Sequence, residues 1–64
     1  MPKHDVDVEL IGHDGNAFNI LGRVDTALRR AGVSKEERDQ YHEEATSGDY
    51  DNLLAVTTQW VNVV

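Results

Sequence analysis

Residues 5–11, DVDVELI, alternate strictly at first: Val6, Val8 and Leu10 point one way, Asp5, Asp7 and Glu9 the other. That two-residue period predicts a half-buried strand. Gly12 and Gly15 then interrupt it, and the period changes. From about residue 16 to 31, Ala17, Ile20, Leu21, Val24, Ala27, Leu28 and Ala31 fall on one helical stripe, with Arg23, Thr26, Arg29 and Arg30 off it. Asp25 is spaced to pair with Arg29 along the helix. Arg29 and Arg30 suit the negative end of the helix dipole, and Gly32 is placed to end the helix in a left-handed conformation.

Ser34 followed by Glu37 is a capping-box signature, so a second helix is expected from about residue 35 to 46. It is poor in apolar residues, with only Tyr41 and Ala45 as a clear inward pair. Gly48 is expected to stop it, and Asp49 to cap a third helix running to about Gln59. Tyr50, Leu53, Leu54, Thr57, Trp60 and Val61 recur there at intervals of three and four. The tail WVNVV is rich in strand formers, and residues 61–64 are the simplest partner for residues 5–11. The expected fold is α+β in the order β-α-α-α-β, a small two-stranded sheet covered by helices, as a single small domain over residues 1–64. The direction of strand pairing is left open by the pattern.

A chain of 64 residues buries only about 60% of the surface it exposes when unfolded. With no cysteine, neither disulfides nor thiolate metal sites can supplement that core, and a cytoplasmic setting fits. Twelve acidic residues against six basic give a formal charge of −6, which argues against direct contact with a nucleic-acid backbone and permits a basic protein partner. No apolar run approaches the ~20 residues of a membrane span, so no membrane contact is expected. The acidic, alternating N-terminus is unlike a signal peptide.

The stretch GHDGNAFNILGRV invites chemical readings. As a calcium loop it places Phe18, Asn19 and Asp25 where an oxygen ligand, a glycine and a bidentate glutamate belong. As a phosphate cradle it has no basic residue between Lys3 and Arg23, and Asp14 would meet the anion. As a catalytic pair, His13 and Asp14 are adjacent and lack a nearby nucleophile. The stretch reads best as a turn in which Asp14 or Asn16 caps the first helix. His4, His13 and His42 show no metal-ligand spacing. No catalytic residue, metal site or cofactor is expected, and the chain is not expected to be an enzyme.

Gly22, inside a helix, costs about 1 kcal/mol relative to alanine. With Phe18 one turn earlier, it suggests a tight crossing with the strand, another helix or a second subunit. Phe18, Gly22 and Trp60 are the candidate interface residues, although a single tryptophan is more often core. The phrases DGNAF, ILG, RRAG and SGDYDNLL, spread over most of residues 10–54, resemble a group of short bacterial and mobile-element proteins of unknown function. That resemblance implies no activity and no site residue. The expectation is therefore a small acidic protein working through protein–protein contact, with a protein partner or as a homodimer. The alternatives are an acidic decoy for a nucleic-acid enzyme, using Asp39, Glu43, Glu44, Asp49 and Asp51, and a small-ligand binder around His13, Asp14 and Tyr41 or Tyr50.

Overall fold

The computed structural model describes residues 2–10 and 15–64. Strand β1 (Asp7–Val8) is followed by helices α1 (Ala17–Arg30), α2 (Lys35–Ala45) and α3 (Tyr50–Trp60) and by strand β2 (Asn62–Val63), an α+β fold in the order β-α-α-α-β. The regular part of β1 is shorter than the alternating run, whose last residue, Ile11, lies outside the described residues.

Local chemistry sets each helix start. Asn16 is extended, and its Oδ1 accepts a 2.8 Å hydrogen bond from the Phe18 amide. Ser34 Oγ accepts from the Glu37 amide at 3.3 Å, and Asp49 Oδ1 from the Asn52 amide at 2.9 Å. Each satisfies one of the amides a first helical turn leaves unpaired. The end of α1 is equally local. Gly32 takes φ +86°, alone in positive φ among the described residues. Its amide then donates to Arg29 O and that of Val33 to Leu28 O, closing a Schellman motif and returning Val33 to the core.

The end of α2 departs from expectation. It stops at Ala45, with Thr46 as its cap, and Gly48 supplies no left-handed turn. Thr46 Oγ1 donates to His42 O, while Ser47 Oγ and Asn52 Nδ2 both donate to Glu44 O. A side chain at Gly48 would meet Asn52 Cβ at 3.0 Å, so close approach, not backbone angle, accounts for that glycine. Asp25 also differs: its carboxylate accepts from Arg38 of α2 at 3.3 Å, which ties two helices together instead of reaching Arg29 along its own.

Ile20, Leu21, Val24 and Leu28 of α1 meet Tyr41 and Ala45 of α2 and Leu53, Val56, Thr57 and Trp60 of α3. Val56 takes a core place on α3, while Tyr50 and Leu54, on the expected stripe, are exposed. Inside the core, Thr57 Oγ1 donates to Leu53 O and so accepts the Tyr41 hydroxyl, both at 2.8 Å.

The strands pair in parallel, Asp7 opposite Asn62 and Val8 opposite Val63. Asn62 N donates to Val6 O, Val64 N to Val8 O and Leu10 N to Val64 O, so bonding runs beyond the regular strand. Parallel neighbours need a long crossover, here the whole helical segment. The residues before β1 close the far end of α3: the Lys3 and His4 amides donate to Gln59 O and Trp60 O at 2.8 and 3.0 Å. Lys3 Nζ lies 4.3 Å from the Trp60 ring centroid, where a cation also suits a helix C-terminus without basic residues of its own.

Candidate protein-contact site

The ladder bonds use the backbone of Val6, Val8 and Leu10. Alternation therefore turns the backbone groups of Asp5 and Asp7 toward the opposite edge of β1. That edge does not meet a second strand among the described residues. It borders a groove of about 780 Å³, with Asp7, Val8 and Glu9 on one wall and α1 residues from Phe18 to Arg30 on the other. At ~1.5 Å per residue the helical wall is roughly 18 Å long.

Two of the three candidate interface residues, Phe18 and Gly22, stand together on that helical wall. Phe18 is 83% exposed, against 50% for Val64, the next most exposed large apolar residue described. The tight crossing suggested for Gly22 is absent among the described residues: beyond its chain neighbours and its own helix backbone, a Cβ there would have no described atom within 4 Å. The glycine widens the groove instead. Trp60 is elsewhere and is a core residue, 1% exposed. His4 stacks on it at 5.7 Å, Tyr41 meets it edge-on at 5.8 Å, and its Nε1 donates to Glu44 Oε1 at 3.2 Å.

The described residues of the other readings are mostly engaged in structural contacts. His13 and Asp14 lie outside the described residues. Tyr41 is buried, and burial pushes its hydroxyl above the ordinary value of 10.0. The Tyr50 hydroxyl donates to Gly15 O. No group of three or more metal-ligating side chains converges among the described residues. Of the five carboxylates of the decoy reading, three have structural partners. Asp39 binds Lys35 at 2.8 Å, a hydrogen bond that holds its carboxyl below the usual value; Glu44 binds Trp60, and Asp49 caps α3. No described helix is long and apolar enough to cross a membrane.

The strand wall was missed by sequence reasoning, although its outward residues Asp7 and Glu9 were assigned to the solvent side. The missing signal is topological, since only strand order shows which edge lies beside Phe18. No family model, curated protein or solved structure matches the chain.

Proposed function

We propose that this protein works through protein–protein contact and that the groove between β1 and α1 is the contact surface. The observation that carries the reading is Gly22: a costly residue in mid-helix, with no described atom near enough to require it, beside an 83% exposed phenylalanine. Function is a common reason for a local choice that works against stability. The cysteine-free composition supports a reducing compartment such as the cytoplasm.

Site-specific photo-crosslinking in the native host tests this. A benzophenone amino acid at position 18 should give a discrete protein adduct, either a partner or a second copy of the chain. Gly22→Trp, which fills the groove, should abolish that adduct. The same group at exposed Gln40 should not form it. Identical adducts from both positions, or adducts insensitive to Gly22→Trp, would overturn the reading.

A further inference from the structure

Resting on that reading, we propose that the groove receives an extended segment of a basic partner protein, added as a third strand beside β1, with cationic side chains outside and apolar ones inside. A strand edge is a template for another strand, and main-chain bonds supply much of the affinity in this mode of recognition. A wall of roughly 18 Å matches a strand of about five to six residues. Gly22 leaves room for side chains where the incoming strand passes α1.

Charge selects the occupant. Side chains of an added strand alternate between two faces. Those on the inner face meet Phe18, Gly22 and Ala27. Those on the outer face lie beside Asp7 and Glu9, exposed on the solvent side of β1. Asp7 and its neighbour Asp5 accept from the neutral Asn62 Nδ2 at 3.1 and 2.7 Å, which leaves their negative charge uncompensated by that contact. Arg23 and Arg30 stand on the helical wall, so the cations of the incoming segment belong on its outer face, away from them. A second copy paired through its own β1 would bring the same carboxylates against this set, and each chain carries −6. A basic segment meets neither penalty.

The test titrates isotope-labelled protein with short peptides alternating lysine and valine, a glutamate–valine counterpart, and a lysine–valine peptide N-methylated along one edge. The lysine peptide should shift the amide resonances of Asp7, Phe18 and Gly22 and slow exchange of the Asp7 amide about tenfold or more. N-methylation, added salt and Asp7→Lys should each weaken it, the last by roughly tenfold. Gly22→Trp, whose ring enters open space, should block binding with the rest of the spectrum retained. Equal affinity for the glutamate peptide would overturn the charge assignment and leave the contact reading standing. Shifts remote from the groove, or no response to either peptide, would overturn strand addition. Self-association that protects the Asp7 amide would make a second copy the occupant, overturning this inference but not the proposed function.

Discussion

Trp60 and Phe18 are large aromatic residues on helices of one small fold, in opposite circumstances. Trp60 is 1% exposed and is held by a cation, a stacked imidazole, a phenol edge and a carboxylate. Phe18 is 83% exposed beside a glycine that leaves space unfilled. Around Trp60 each neighbour restrains another, so one deletion propagates. Along the groove, Phe18 and Gly22 are nearly independent of the fold. In a domain whose core supplies only ~3–5 kcal/mol, that division lets one flank hold the structure while the other is free to vary.

The sharpest contrast is between truncations of the two aromatics. Trp60→Ala should remove about 3–5 kcal/mol, enough to unfold most of the population, whereas Phe18→Ala should stay within about 0.5 kcal/mol of the parent. Thermal melts followed by circular dichroism measure both, and similar losses would erase the distinction. Next in size is removal of residues 61–64. Val61 is 1% exposed, and the tail carries β2, so the loss should exceed about 2 kcal/mol. Slow amide exchange at Asn62 and Val64, whose N–H groups donate to β1, should accompany it. Rapid exchange there and an unaltered melt would detach the tail from the well-held flank.

Smaller effects are expected from single polar contacts. Ser34→Ala removes the cap of α2 and should cost about 1 kcal/mol, or roughly 4–8 °C in Tm. Tyr41→Phe removes one buried hydrogen bond, at about 0.5–1.5 kcal/mol. It should also change the alkaline limb of the stability curve. Burial raises the folded-state pKa of Tyr41, so its contribution is full below the ordinary 10.0 and is lost as pH climbs through the raised value. Denaturant titrations across that range should show a shallower alkaline decline in the phenylalanine variant. The only gain is Gly22→Ala. Its methyl group meets no described atom within 4 Å beyond its chain neighbours and its own helix backbone, so stability should rise by about 0.5–1 kcal/mol. A loss at Gly22 would mean that the groove flank is packed after all.

The helix starts were legible because Asn16, Ser34 and Asp49 act on amides two or three residues away. The α1 stripe and Gly32 were legible for the same reason of short range. The buried face of α3 was only partly so: Leu53, Thr57 and Trp60 of the expected stripe are buried, but apolar residues lie on several sides, and Val56 is buried where Tyr50 and Leu54 are exposed. Asp25 had a plausible partner one turn away and found Arg38 on another helix. At the candidate site, Phe18 and Gly22 could be marked in isolation. Their shared wall and its facing strand depend on strand order, to which local spacing is blind.

Parallel pairing of the two strands has a kinetic consequence. Asn62 meets Asp7 across 55 positions, so the sheet closes nearly the longest loop this chain can form. Closing it from an open chain costs on the order of 3–4 kcal/mol of loop entropy, beyond a constant term. The helices draw mainly on contacts that are near in sequence and can form on faster timescales. The strands are therefore expected to join late, when the helices have already shortened the span between them. Until then the apolar side of Val6, Val8 and Leu10 lacks its neighbour, and that interval is when an unfinished molecule is most exposed to pairing with the wrong strand.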